Sequence, residues 1–538
     1  MPSRRRAAVA IVLAGAAAGG SLVTPPPAVA HATADAAPTA PTAKAAYDYR
    51  EVSIPGTGGI TLDGNVFVPR TPGPHPAVVF ISSWGLEDHE YIAQAARFAE
   101  KGYIVLSYTA RGFFNSGGGI DVAGPDDVAD GSKVIDWLVA HTPVDRSKIG
   151  LAGISYGSGF GQLIAAHDER VAAVVAMDTW GDLVESLYAN ETRHMGAFTL
   201  LAGSGLLLGR FSPSTRTILE DFAANRNVPK LIEWGRVRSP GTYRPRLNAR
   251  KVPIFISNAY GETLFGPNQV LVHFDRLTGP KRLDLSVGDH AMAHATGLLG
   301  VDSRTWNDAH RWFDHYLRGQ DNGIDREPPI AAEVHWSRKV ETYRDVADFT
   351  GSYERLALNV PSAKGEGALG RAMPTAAWGK TLRSGQDSGA NAGVVILSAG
   401  LQTFGIPNQL QTRWISRSTA GIWSTAPLKA TKRLRGAPML DLTVKPSART
   451  ATLVSYLYDV DAHGNGRLIT HEAHSLLRAA PGKAVRVPIR LQATSFDVPA
   501  GHRLMLLIDT KDPIYGDATV PGATITVQSP SAVSLPLG

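Results

Sequence analysis

Between Tyr47 and Tyr316 short apolar runs alternate with stretches of helical periodicity, and this alternation constrains the fold more than any other feature of the chain. The runs AVVFIS, YIVLSY, KIGLAG, VAAVVAM, VPIFIS and KRLDLSV are apolar at nearly every position, as strands covered on both faces must be. Between them EYIAQAARFAEKG, DDVADGSKVIDWLVAH, the run from Ser158 to His167 and the stretch from Trp306 to Arg318 repeat their apolar residues at helical spacing. Strand and helix in alternation predict an α/β fold, a mostly parallel sheet with helices on both faces. Ahead of it, EVSIPGTGGITLDGNVFVP predicts a hairpin turning at Gly56 to Gly59. The segment 181–250 breaks the rhythm, with helical periods in DLVESLYA and TRTILEDFAA. Inserted at the carboxyl ends of strands, it is placed to cap a ligand crevice.

Beyond Pro328 the pattern changes to short alternating runs, among them PMLDLTV, ATLVSYLYDV, VRVPIRL, RLMLLID and ATITVQ, divided by Gly, Pro and Asp turns. Such spacing predicts an all-β sandwich or jelly roll. The expected division is therefore an α/β domain over 47–327, its cap at about 181–250, and a β domain over 328–538. The segment DVDAHGNG lies between two of these runs; His463 and Thr470 occupy positions where a calcium loop needs acidic or amide ligands, so it reads as a hairpin turn.

No residue of the 538 is cysteine, which excludes a disulfide framework, thiolate zinc sites and a cysteine nucleophile. Half of the net charge of +6 sits in Arg4 to Arg6, and without a dense basic stripe nucleic acid is not an expected partner. MPSRRRAAVAIVLAGAAAGG has the basic start and small apolar run of an export signal, and Ala28-Val29-Ala30 supplies the cleavage pattern. Residues 1–30 are accordingly expected to be a signal peptide and 31–46 a tether rich in Ala, Pro and Thr, which makes the protein secreted. No later run reaches eighteen consecutive apolar residues, so no membrane span is expected.

Chemistry is signalled by Gly153-Ile154-Ser155-Tyr156-Gly157. Composition alone yields roughly 0.3 matches to G-x-S-x-G in a chain of this length, so the setting carries the argument. The motif follows the strand KIGLAG and opens a glycine-rich helix, the arrangement a nucleophile elbow requires: a tight turn projects the Ser155 hydroxyl, and the N–H of Tyr156 is presented to an oxyanion. A serine hydroxyl needs a base, and the base a carboxylate, in the chain order serine, acid, histidine. His290, in SVGDHAMAH after KRLDLSV, is the first candidate base, with His294 as the alternative. Glu262, in ISNAYGETLFG after VPIFIS, is the first candidate acid, with Asp275 and Asp289 as alternatives. The i, i+4 pair His290 and His294 has metal-ligand spacing, but the glutamate of HExxH is missing; no metal and no organic cofactor is expected. Asp126, Asp127 and Asp130 read as acidic residues at the positive end of a helix.

The stretch KGYIVLSYTARGFFNSGG, the motif GISYGS, LTGPKRLDLSVGDHA and, in the last domain, YLYDVDAHG and PAGHRLMLLID together resemble the bacterial cocaine esterase and X-Pro dipeptidyl-peptidase group of α/β-hydrolases. The resemblance implies an α/β-hydrolase fold with a helical cap insert and a C-terminal all-β jelly roll of galactose-binding-like type, and Ser155, Glu262 and His290 as nucleophile, acid and base. Two departures stand out. The acid is usually aspartate in that group, and where it often has a Pro-Tyr pair this chain has Ser83-Trp84. Trp84 can supply a backbone N–H or an indole N–H to the oxyanion, or form an aromatic wall of the acyl pocket.

The expected function is that of a secreted serine hydrolase acting on a small-molecule ester or short peptide, favoured as an acyl esterase. The alternative is an X-Pro dipeptidyl-peptidase, for which Asp182, Glu185 or Glu191 in the cap would pair with a substrate ammonium. A second alternative is an inert core carrying a β domain that binds glycan or cell wall. The oligomeric state is left open by the sequence.

Overall fold

The computed structural model describes residues 46–363 and 365–537. The expected leader and nearly all of the tether, residues 1–45, lie outside the described residues. Ten strands form one sheet: β1 (Tyr47–Pro55), β2 (Thr61–Pro69), β3 (His75–Ile81), β4 (Ile104–Tyr108), β5 (Val144–Ile154), β6 (Val171–Met177), β7 (Ile254–Ala259), β8 (Lys281–Ser286), β9 (Ile330–Glu333) and β10 (Val340–Tyr343), in the order β1-β2-β4-β3-β5-β6-β7-β8-β9-β10. From β4 to β9 neighbours run parallel, while the outer pairs at each end are antiparallel. The hairpin of β1 and β2 turns where expected, with Gly58 and Gly59 both at positive φ.

The helices that flank this sheet are α1 (Ile92–Glu100), α2 (Pro125–His141), α3 (Tyr156–His167), α9 (Pro267–Asp275) and α10 (Arg304–Arg318); α4 (Leu183–Leu187), α5 (Met195–Leu208), α6 (Pro213–Ala223), α7 (Val228–Val237) and α8 (Arg244–Arg250) come from the insert. The middle strands are buried over nearly all of their length, β5 from Ile149 onward, because helices cover both faces. Ile81, Leu151, Val174 and Ile256 pack on one side with α3, while Phe80, Val175 and Phe255 pack on the other with Phe98, Trp312 and Phe313. A central parallel strand therefore has no polar face to show, which is why its sequence reads as a continuous apolar run. The ends of β5, β7 and β8 meet at one edge of the sheet, and there they carry Ser155, Glu262 and His290.

The first sheet reaches past the expected boundary at 327/328. β9 pairs with β8 in parallel and β10 with β9, so the first sheet continues to Tyr343. The run IAAE is too short to show periodicity, and only pairing with β8 reveals which domain it serves. After Tyr353 the chain is almost wholly β, as expected. Leu440, Val444, Val487 and Val533 from one part of its hydrogen-bonded path and Leu453, Leu457 and Leu506 from the other share a single core, which makes a sandwich. The hairpin Ala451–Val460 to Asn465–Leu476 turns at Asp461, whose carboxylate accepts the N–H groups of His463 and Asn465 at 2.8 and 2.9 Å, so DVDAHGNG is a turn. No described helix is long and apolar enough to cross a membrane.

Candidate active site

Ser155 stands between β5 and α3 with φ 55° and ψ −120°, a conformation that costs a non-glycine residue free energy and persists where the surroundings impose it. They do so here by close packing. A Cβ on Gly157 would lie 2.1 Å from the carbonyl oxygen of Ile81, so only glycine lets the first turn of α3 come this near to β3. The turn is closed by Ser158, whose Oγ donates to Ser155 O at 2.5 Å. The result is a serine hydroxyl held rigidly at the sheet edge.

His290 Nε2 lies 2.6 Å from Ser155 Oγ, and His290 Nδ1 lies 2.9 Å from each oxygen of Glu262. All three residues are 6% exposed. Glu262 is fixed by its own loop: Oε1 accepts the N–H groups of Leu264 and Phe265 at 2.9 and 3.2 Å, and the ring of Phe265 meets the imidazole edge-to-face at 5.3 Å. Burial, the largest single influence, opposes the imidazolium, yet the Glu262 carboxylate and its hydrogen bond, together with Asp178 and Asp289, outweigh it and hold His290 up to about 9. The longer glutamate side chain thus reaches the imidazole with no loss of contact.

The alternatives considered from sequence fall to other tasks. His294 bonds Ser257 Oγ at 2.9 Å and Asp178 at 3.1 Å, beneath the loop that carries His290. Asp178 also accepts the N–H of Ala291 at 3.1 Å, so this second buried Asp–His pair pins the residue next to His290. Asp289 turns away from the ring, taking its neighbour's N–H at 2.7 Å and the N–H and hydroxyl of Thr263 at 2.8 and 3.0 Å; burial, then the nearby Glu262 carboxylate, push it up. Asp275 is exposed at the end of α9. His290 and His294 face different partners and do not converge on a common point. The one cluster of metal-type side chains among the described residues is Glu51, Asp88 and His89, which includes neither histidine.

The oxyanion side holds one correction. The indole N–H of Trp84 is already engaged, donating to Leu201 O at 3.1 Å and Ser204 Oγ at 3.2 Å, so it does not serve an oxyanion. The ring instead forms a wall, edge-on to Tyr156 at 5.3 Å and to Phe113 at 5.0 Å. The backbone N–H groups of Trp84 and Tyr156 have no acceptor among the described residues, and both residues flank Ser155. Glu90, which no local pattern singled out, takes the N–H and hydroxyl of Ser83 at 2.7 and 2.6 Å and so sets the loop that presents the Trp84 N–H. Asp127 has a larger part than helix capping: it accepts the Gly124 N–H at 3.3 Å and the Tyr156 hydroxyl at 2.9 Å. Asp130 pairs with the buried Arg111 at 2.8 Å, and Asp126 pairs with it from the surface.

Above Ser155 the insert closes a cavity of about 710 Å³, open mouth included, walled by Leu187, Phe198, Leu201, Phe222 and Trp234 from the cap and by Trp84 from below. Phe198 and Phe222 stack at 4.9 Å. No charged side chain among the described residues lines it. Asp182 and Glu185 line a separate polar cavity with Arg244 and Glu472, and Asp182 also caps α4; Glu191 is exposed.

Residues 58–292 match the model of the X-Pro dipeptidyl-peptidase (S15) family, and residues 322–533 match that of the X-Pro dipeptidyl-peptidase C-terminal non-catalytic domain. The α/β part of the chain, over residues 58–292, belongs to the S15 family. It is a serine hydrolase. A Streptomyces avermitilis protein named as a putative Xaa-Pro dipeptidyl-peptidase is 24% identical over 522 residues, covering 81% of this chain and 71% of that one. A putative serine esterase of Mycobacterium bovis is 22% identical over 548 residues, covering 80% and 82%. Among solved structures, an α-amino acid ester hydrolase aligns over 94% of this chain and 100% of its own with a TM-score of 0.69 at 17% identity. A CocE/NonD family hydrolase from Staphylococcus aureus aligns over 91% and 94% with a TM-score of 0.68 at 13% identity. At these identities the structural likeness establishes the fold, an α/β-hydrolase domain followed by a β-rich domain. Membership of a hydrolase family removes the reading of an inert core.

Proposed function

We propose that this S15-family protein is an exported acyl esterase whose nucleophile, base and acid are Ser155, His290 and Glu262. The observation that carries the proposal is the unbroken series from Ser155 Oγ through the imidazole to Glu262, with contacts of 2.6 and 2.9 Å, at the floor of a cavity without charge. His290 takes the serine proton as Oγ attacks the acyl carbonyl, and the N–H groups of Tyr156 and Trp84 receive the oxyanion. Collapse of the tetrahedral species expels the alcohol, which leaves with the proton from His290, and Ser155 is acylated. Water, deprotonated by His290, then attacks the acyl-enzyme; the acid departs and the serine regains its proton. Glu262 fixes the tautomer of His290 and stabilises its cation throughout.

Apolar walls favour an apolar acyl group, because burial of its surface stabilises the complex and no carboxylate among the described residues lines the cavity to pair with a substrate ammonium. The same fact weighs against X-Pro dipeptide release, since Asp182 and Glu185 line a different cavity and Glu191 faces solvent. The test is chromophore release from a medium-chain acyl ester and from an X-Pro anilide, with the wild type and Ser155→Ala. Turnover of the ester alone, lost in the variant, supports the proposal; preferential turnover of the anilide overturns the ester reading. Export is tested by the amino-terminal sequence of protein recovered from the medium, expected to begin after Ala30.

A further inference from the structure

The cap reaches the oxyanion side of the site through one buried arginine. Arg238 follows α7, is 5% exposed, and lays its guanidinium 4.0 Å from the ring centre of Trp234. The group donates in three directions: Nη1 to Trp234 O at 3.2 Å, Nε to Asp121 O at 2.9 Å, and Nη2 to Asp121 Oδ1 at 2.8 Å. Its own carbonyl accepts the indole N–H of Trp180 at 2.7 Å. Arg238 therefore joins a cap wall of the cavity, Trp234, to the loop beginning at Asp121.

That loop is strained. Val122 and Ala123 stand at φ 58° and 54°, and consecutive non-glycine residues hold this region only where contacts force them into it. The strain delivers two contacts. Val122 lines the cavity beside Ser155, and the N–H of Ala123 donates to the Tyr156 hydroxyl at 2.8 Å. The hydroxyl in turn donates to Asp127 Oδ2 at 2.9 Å. A continuous series thus runs from the cap guanidinium through Asp121 and Ala123 to the side chain of Tyr156, whose backbone N–H is one of the two unengaged donors at Ser155.

We infer that Arg238 is a positioning residue for the oxyanion donor at Tyr156, so that the cap governs the rate of acyl transfer as well as the shape of the acyl pocket. The inference rests on the reading of Ser155 as the nucleophile. Only a guanidinium spans these contacts: its planar fork addresses a carboxylate, a carbonyl and an aromatic face at once, whereas an ammonium is a single point of charge.

The experiment is the rate of covalent labelling of the full mature protein by a fluorophosphonate, whose phosphoryl oxygen occupies the oxyanion position, alongside kcat and KM for a medium-chain ester. The variants are Arg238→Met, Arg238→Lys, Tyr156→Phe and the double variant of Arg238→Met with Tyr156→Phe. Expected are a tenfold or greater fall in labelling rate and in kcat for Arg238→Met and for Tyr156→Phe, KM within threefold of wild type, and an intermediate fall for Arg238→Lys. The double variant is expected to fall no further than the worse single one, because both substitutions cut the same series. An arginine that merely braces the pocket wall would raise KM, leave labelling unchanged and multiply with Tyr156→Phe; that outcome overturns the inference. If Arg238→Met does not fold, Arg238→Lys and Tyr156→Phe carry the comparison. Absence of labelling in the wild type would overturn the reading of Ser155 itself, and the inference with it.

Discussion

The N–H of Ile396, in the β-rich domain, donates to Thr263 Oγ1 at 3.0 Å, one residue beyond Glu262. Thr263 passes the contact on, giving its N–H and hydroxyl to Asp289 at 2.8 and 3.0 Å, and Asp289 accepts the N–H of His290 at 2.7 Å. Nearby, Asn268 exchanges hydrogen bonds with Leu491 O and the Ala493 N–H at 2.9 and 3.0 Å. The acid loop is therefore clamped from outside the α/β domain.

Thr263→Val tests that clamp. It removes the hydroxyl from Ile396 and from a buried carboxylate, a loss of about 1–3 kcal/mol. A fall of at least fivefold in kcat with a lower melting temperature is expected, and unchanged kcat would show that the clamp does not reach His290.

Glu262 also makes the pH dependence specific. A base must be neutral to accept the serine proton, so kcat/KM should climb with pH and level only near the raised value of about 9. In Glu262→Gln burial is opposed only by the more distant Asp178 and Asp289: the limb should move to lower pH and the rate fall by about 10⁴-fold, as when a triad carboxylate is replaced by its amide. The linked stability has a definite sign. Because the folded value lies above the ordinary 6.5, the stabilisation is complete below about 6.5 and is lost as pH rises through about 9; the melting temperature of wild type should fall across that window by more than that of Glu262→Gln.

Acyl selection should follow cavity volume. Leu219 lines the pocket, and Leu219→Trp should occupy much of it. Each displaced methylene is worth about 1 kcal/mol, so kcat/KM for an octanoyl ester should fall by more than tenfold while that for an acetyl ester changes less than threefold. Equal losses for both esters would mean that the acyl chain lies elsewhere.

Gly157→Ala should be destabilising by about 3 kcal/mol, read by denaturant unfolding, because its Cβ would meet the Ile81 carbonyl oxygen at 2.1 Å with backbone on both sides.

Much of the fold is legible in the sequence. The covered strands announce themselves as apolar runs, the elbow glycines and serine sit between a strand and a helix, and the candidate acid and base follow successive strands. These are local signals, set by side-chain periodicity and by what a tight turn tolerates. Three helices of the insert, α5, α7 and α8, and the sheet that continues through β9 and β10 are less plain, because α5 is apolar nearly all round and β9 is only four residues long.

The site divides along the same physical line. Ser155, Glu262 and His290 can be nominated by residue type and strand-end position, since chemistry restricts which side chains serve and topology restricts where they stand. Tertiary structure alone decided that His290 and not His294 meets Ser155, that the Trp84 indole N–H is spent on Leu201 and Ser204, and that Asp182 and Glu185 of the cap line another cavity. Each of those outcomes depends on a hydrogen bond or a wall shared by residues far apart in the chain. No local pattern encodes such a partnership, because the partner is supplied only when distant segments pack together.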